Sequence, residues 1–424
     1  MINAILPGVY VDVVAGEREK PFGTVGVVAI PLELNWGDTV ITLSKGENPF
    51  VKLGYYMNNT AIKLIKEVMN YANKLIIYRL NAGVKAKATL STGVTAEAIY
   101  GGTRGNDINV TVKAVDANFV VKTFVDTVEV DSQIIKAVAD FKANQFIAIT
   151  GSGTLVDASV KLSSGANGTV ASDAYDKYLT EIEKHEYNIM AYTGTDTAIQ
   201  NKIVSFVNRM RDENNVMMQA VMCGSGFDNK AIINNTIGGK TPTYNLTATE
   251  ACATMAGIQA KCGIDASATY FDKVVGWTDV SERLTQIQME TKTQKGEILF
   301  VLRYGKVMVL YDINSLVTYT DLDPKDFSKN LIVRTLDQYA KELQYLLDTK
   351  AIGKIRNSVD GRNQIKGLIA TMTVEHYLNK GYVEGFTADD ITVNQGTDRD
   401  SVVATVGIKV VDTVDKIYIT VTAL

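Results

Sequence analysis

The stretch DAYDKYLTEIEKHEYNIMAYTGTDTAIQNKIVSFVNRMRDENNVMMQAVMC, residues 173–223, decides the class of fold. Its opening places Tyr178, Leu179 and Ile182 at helical spacing over 173–185, and the apolar run 188–192 that follows reads as a strand. Asp196 stands where an N-cap belongs, its carboxylate placed to accept the free amides of a first turn, so 196–214 is predicted as a helix. A strand over 216–223 and a helix over 247–261 continue the alternation. Strands separated in this way by helices imply an α/β layer with a largely parallel or mixed sheet.

Toward the N-terminus the same pattern appears as a strand over 23–30, a helix over 59–73 carrying Ile62, Ile65, Val68, Met69 and Ala72, and a strand over 74–80. Between these two halves, 85–170 is rich in Thr, Val, Gly and Asp in short alternating runs such as INVTVKAV and FVVKTFV. That texture predicts an all-β insertion projecting from the α/β layer. In the last third, a helix over 281–295 ends at Gly296, and strands 297–303 and 306–312 flank the turn Tyr304-Gly305. A helix over 331–356 follows, with Ile332, Leu336, Tyr339, Leu343 and Leu347 in a stripe and an Asp337–Lys341 pair on its other side. A helix over 364–380 and strands at 391–395, 402–411 and 416–422 complete the chain. The expected architecture is α/β and α+β multidomain: an arm at 1–20, an α/β domain from 21–84 plus 171–280, the β-rich insertion 85–170, and a mixed α+β domain 281–424 completed by terminal strands.

The two ends have no evident local sheet. Near the start, LPGVYVDVV alternates Val9, Val11 and Val13 with Tyr10, Asp12 and Val14, and the charged stretch 15–20 behind it reads as a linker. At the other end Ile417, Ile419 and Val421 alternate with Lys416, Tyr418, Thr420 and Thr422, with 411–415 as a flexible connection. A lone strand is unstable in water and must find a sheet. Strand addition to another chain supplies main-chain hydrogen bonds and alternating apolar anchors.

Catalytic chemistry is poorly supplied. Among 424 residues there are two histidines, His185 and His376, and three cysteines with no C-x-x-C pair, so neither a zinc site nor a disulfide framework is expected. The formal charge of -4 provides no broad positive field for nucleic acid, and no window is apolar enough to cross a bilayer. Nucleic acid, membrane insertion and cofactors are therefore not expected, and the N-terminus lacks a secretory pattern, which predicts synthesis in the cytoplasm. GGTRGN at 101–106 is followed by a strand and no phosphate-binding Lys, so it reads as a turn. Cys223 closes a strand without a base in its sequence context, and packing explains it better than nucleophilic chemistry. His376 beside Glu375 reads as a partly exposed, hydrogen-bonded side chain, and the acids Asp321, Asp323, Asp326, Asp398 and Asp400 as solvated turn residues. Lys350, Lys354, Arg356, Arg362 and Lys366 form the densest basic group. They either complement a helix C-terminus or make a patch for an acidic protein partner.

Several segments together resemble phage-type contractile tail sheath proteins, found in phage tails, prophage elements and phage-tail-like bacteriocins. They are LPGVYVDVV, GGTRGNDINVTV, the run from VSERLTQIQ through GEILFVLRYGKVMVLYDINSLVTYT, LIVRTLDQY, and the closing KVVDTVDKIYITVTAL. The resemblance implies a structural subunit, not an enzyme, that stacks as hexameric rings around a tail tube and contracts to drive the tube through a membrane. It implies the tube, baseplate and tail terminator proteins as partners, and a basic patch at 350–366 facing the tube. It also implies that arms carrying Val9, Tyr10, Val11 and Val13 at one end, and Ile417, Tyr418, Ile419 and Val421 at the other, add strands to neighbouring subunits. Two rival readings are an α/β hydrolase with a β-domain insertion, using Cys223 or an acidic pair, and a non-contractile tail or surface protein.

Overall fold

Seven short strands assemble a central sheet whose inner strands are buried on both faces and need cover on both, while the edge strand Val40–Ser44 is buried only at alternate residues. The computed structural model describes residues 26–271 and 274–423. In spatial order the strands are Glu297–Ile298, Ile232–Asn235, Gln219–Met222, Ile189–Ala191, Val27–Leu32, Lys74–Arg79 and Val40–Ser44. Every pairing is parallel except the last, where Val40–Ser44 runs antiparallel at the edge. Val27–Leu32 is buried at all its positions and feeds two cores by alternation. Val28, Ile30, Leu75, Ile77 and Val221 pack on the side of helices Lys63–Met69 and Ala251–Cys262. Val27, Ala29, Ile76, Met190 and Ala220 pack on the side of helices Ala174–Ile182 and Thr197–Asp212. Asp196 caps the latter as predicted, accepting from the Ala198 amide at 2.8 Å.

The segment between the halves is two antiparallel sheets packed face to face. One contains Lys85–Ser91, Val94–Gly101 and Ile147–Gly151; the other contains Ala158–Lys161, Ile108–Val115, Asn118–Val125 and Val128–Ile135. Alternation along Val94–Gly101 and Ile108–Val115 turns Val94, Ala96, Ala98, Val110 and Val112 inward. Two residues from outside the insertion, Trp36 and Phe50, join this core. The stem is narrow, with Asn81 bridged to Val170 and Val84 to Ala166. GGTRGN forms the turn of this stem, and its Arg104 is a structural bolt that the turn reading did not contain. Arg104 is buried, donates to Asp126 at 2.9 and 2.7 Å, to Asp107 at 3.0 Å and to the Gly54 carbonyl at 2.9 Å, and lies 4.4 Å over the Tyr55 ring.

In the last third, the helix expected at 281–295 is Gln286–Gln294, because Thr285 and Gln288 form a capping box that fixes its start. The hairpin Phe300–Arg303 with Lys306–Val309 turns through Tyr304 at φ 52° and Gly305 at φ 72°. Positive φ at both central residues is the type I′ geometry that matches strand twist. The long helix is Asn330–Lys350, ending six residues before the predicted limit in a turn that contains Gly353 at φ 71°. Its Asp337 does not pair with Lys341 on an open face. It is held by Arg211 through two bonds of 2.7 Å, because that face is packed against the α/β body. Helix Val359–Thr373 runs on through a π-turn, Val374–Leu378, to two small antiparallel pairs, Val383–Glu384 with Lys409–Val410 and Ile391–Gln395 with Val402–Val406.

Candidate assembly surfaces

The C-terminal arm is where the expectation and the structure part. Residues 416–422 carry the alternation of a strand but have no ladder partner within the described chain. Alternation encodes only the capacity to pair, and among the described residues no strand pairs with this segment. Consequently Ile417, Tyr418, Ile419 and Val421 are 75, 90, 79 and 88% exposed. Such a row of apolar side chains in water is costly, at about 25 cal/mol per Å² of apolar surface left unburied. Among the described residues the hairpin Ile391–Gln395 with Val402–Val406 has no further strand on either side, and Val403 on it is 58% exposed. The segment 411–415, read as a flexible connection, is instead tied down: Asp412 and Asp415 both pair with the buried Lys329. The N-terminal arm with Val9, Tyr10, Val11 and Val13 lies outside the described residues.

The basic group sits where the two C-terminal helices diverge. Lys350, Lys354 and Arg356 are exposed, whereas Arg362 and Lys366 are half-buried. Lys354 bonds the Thr349 carbonyl near the helix end, and Arg362 donates to Asn357 at 2.9 Å, so both partly serve the turn itself. Lys350 and Lys354 also line a cleft between the helices with Tyr345, Leu346, Leu368 and Met372.

The enzymatic alternative turns on Cys223 and the acidic residues. Burial pushes the Cys223 thiol up, opposite to what a reactive cysteine needs. His185 pairs with Glu181 at 3.6 Å and His376 with Glu342 at 3.2 Å, so both are engaged elsewhere. Asp323 is held by Lys230 at 2.5 Å, and no group of three or more His, Cys, Asp or Glu side chains among the described residues is arranged to hold a metal. A cavity of about 250 Å³ lies between the helix Asn330–Lys350 and the sheet, bordered by Gly26, Asn188 and Gln219. Those residues mark the amino ends of parallel strands, whereas open α/β sheets bind ligands beyond the carboxyl ends. At the carboxyl end of Lys74–Arg79 the chain runs into the stem of the insertion, with Asn81 bonding both backbone groups of Leu34 at 2.8 and 2.9 Å.

Four family models match end to end. A tail sheath domain III N-terminal region matches 25–80, a phage tail sheath β-sandwich domain 81–167, a phage tail sheath central domain 168–315, and a phage tail sheath C-terminal domain 323–423. The phage-like element PBSX protein XkdK of Bacillus subtilis (strain 168) is 32% identical over 428 residues, spanning 93% of this chain and 91% of that protein. This chain belongs to the phage tail sheath family. The fold of the sheath chain agrees with that of the sheath tail protein from Desulfitobacterium hafniense at TM-score 0.85 and 31% identity, covering 97% of this chain and 99% of the other. It also agrees, at 12% identity and TM-score 0.57 over 99% of both chains, with the helical sheath of the anti-feeding prophage in its contracted state. Family membership makes the protein a structural tail component. No helix among the described residues of the sheath chain is long and apolar enough to cross a membrane.

Sequence reasoning marked residues 416–422 by their period-two pattern and read the GGTRGN turn from its glycines. It missed Lys329, because the only local signal is a lysine before a helix. Its partners Asp412 and Asp415 lie more than eighty positions away in the chain.

Proposed function

We propose that the chain polymerises into the outer sheath of a contractile tail, as stacked hexameric rings around a tail tube, and contracts to drive that tube through a membrane. The observation that carries this reading is the exposed, alternating arm beyond Asp415, in a chain whose own small hairpin also has unpaired edges. Each is what the other lacks: the arm needs a sheet, and the hairpin, packed through Ile391 against helix Val359–Thr373, leaves its edges open to a further strand among the described residues. Placed on a neighbouring copy, the arm adds a strand to that hairpin with Ile417, Ile419 and Val421 on one face. The N-terminal arm at 6–14 plays the corresponding role at the other end. Strand pairings of this kind persist while subunit bodies rotate, so contraction draws on repacking of a metastable lattice and needs no nucleotide. The basic group at 350–366 is the surface offered to the tube, and baseplate and terminator proteins close the two ends of the polymer. Synthesis in a bacterial cytoplasm and assembly into a phage, prophage or phage-tail-like particle complete the reading.

The experiment is removal of residues 416–424. The truncated chain is expected to keep its circular dichroism spectrum and thermal unfolding midpoint while failing to form tubes in electron micrographs under conditions in which the full chain forms them. Normal tubes from the truncated chain would overturn the arm assignment.

A further inference from the structure

Lys329 occupies an unusual position for a lysine. It is 7% exposed, its backbone amide bonds the Asp326 carbonyl at 3.1 Å, its backbone bridges Ile313, and the long helix begins at the next residue. Its stem is thus built into the body. Its ammonium lies 4.4 Å over the Tyr311 ring, 3.3 Å from Asp412, and in direct contact with Asp415. Burial works against the charged form, but Asp415, Asp412 and Tyr311 outweigh it and hold the ammonium above the ordinary lysine value. On the arm side, Val411 makes the last backbone hydrogen bond to the body, at 2.9 Å to the Tyr382 carbonyl. Beyond it, the ion pairs that tie the arm to the body among the described residues are those of Asp412 and Asp415 with Lys329.

We propose that Lys329 is a clasp that makes 411–415 part of the rigid body, moves the pivot of the C-terminal arm to Lys416, and keeps the arm from folding back along the full length of its own hairpin. The clasp stands at the start of the helix Asn330–Lys350. The turn of the hairpin is held at the opposite end, where Asn357 donates to the carbonyls of Arg399 and Ser401 at 3.0 and 2.8 Å. A helix of this length separates the two by roughly 30 Å at 1.5 Å per residue. Clasped, the arm has residues 416–424, a fully extended reach of about 30 Å, so it meets the turn only at full extension and can lie along no more than the near part of Val402–Val406. Released at Val411, it gains about 17 Å more. The clasp therefore biases the arm toward a neighbour, and this consequence rests on the arm assignment made above, whereas the clasp itself does not.

The test places spin labels at Ile417→Cys and Arg399→Cys, in a chain whose three native cysteines are replaced, and measures the distance between them by pulsed electron resonance. The clasped chain is expected to give one narrow, long distance. Lys329→Met, and independently Asp412→Asn with Asp415→Asn, are expected to broaden the distribution and add a short-distance population. The double arm variant changes only arm residues, and the Lys329 ammonium it leaves unpaired is opened to water as the arm swings away, so it serves if Lys329→Met fails to fold. An unchanged distribution in the arm variant overturns the clasp. A broadened distribution together with tubes from the 416–424 truncation would leave the clasp standing and sink the arm assignment alone.

Discussion

Asp312 shows how single residues weld the C-terminal region to the α/β body. It is wholly buried and accepts from Gln259 and Asn330 at 2.8 Å each, from the Ala268 amide at 2.9 Å and from Arg334 at 3.1 Å. Burial alone would raise this carboxyl, but Arg334 and the three neutral donors outweigh it and hold it below the ordinary aspartate range. A depressed folded-state value means that the stabilisation is fully present above the unfolded value of about 3.9 and is lost as pH falls through the folded one. Asp312→Asn keeps the shape but leaves the Arg334 guanidinium buried without a counter-charge, which is expected to cost about 3–5 kcal/mol. Urea titrations over a pH series check both parts: the substitution lowers stability near neutrality and flattens the decline below about pH 4. A parent and variant falling in parallel on acidification would show that Asp312 titrates as an ordinary carboxylate. None of this network was legible in the sequence, because Gln259, Ala268, Asp312, Asn330 and Arg334 carry no periodic signal and meet only after the fold has formed. The same holds for Arg104, whose turn was readable from glycines while its carboxylate and carbonyl partners at 126 and 54 were not.

At the scale of elements, the strands and helices with strong periodicity were readable and their neighbours were not. The alternation over 173–223 gave the correct sequence of helix, strand, helix and strand because each element there packs by one local period. The helix Asn330–Lys350 was found by its apolar stripe, yet Asp337 was assigned to Lys341 since i,i+4 pairing is the local option; Arg211 wins because both it and Asp337 are removed from water, at 10 and 13% exposure. The arm at 416–422 is the converse case: the pattern is strand-like, but pairing is a property of two segments, and one copy supplies only one of them. This makes the edge of Val402–Val406 the place to test the other half. Val403→Lys puts a charge on an exposed edge position, a device that blocks edge pairing, while changing monomer stability by no more than about 0.5 kcal/mol. Sedimentation of mixed wild-type and variant chains is expected to show tube formation falling with the variant fraction. Undiminished polymerisation would move the acceptor site away from this hairpin.

For the whole molecule, the question is how separable the β-rich insertion is from the rest of the chain. Its ends meet at the Val84 to Ala166 bridge, across which α-carbons of antiparallel strands are about 5 Å apart, so a short glycine linker can replace 85–165 without stretching the stem. Sequence texture placed the insertion at 85–170, but its core also takes Trp36 and Phe50, 1 and 6% exposed, from the first α/β segment. Composition could not show this, since those two aromatics lie in a region whose other apolar residues serve the central sheet. Excision therefore uncovers two large side chains, each costing about 1.5–3 kcal/mol when returned to water. It also removes Arg104 from the Gly54 carbonyl. The plain deletion is expected to melt several degrees below the full chain and to aggregate. The same deletion carrying Trp36→Gln and Phe50→Thr is expected to stay soluble and to retain tube formation, because the arm, the hairpin and the Lys329 clasp all lie beyond 310. Calorimetry and micrographs of the two deletions decide the matter: equal behaviour of both would mean that Trp36 and Phe50 belong to the α/β core, and loss of tubes from a folded, soluble deletion would give the insertion a part in assembly.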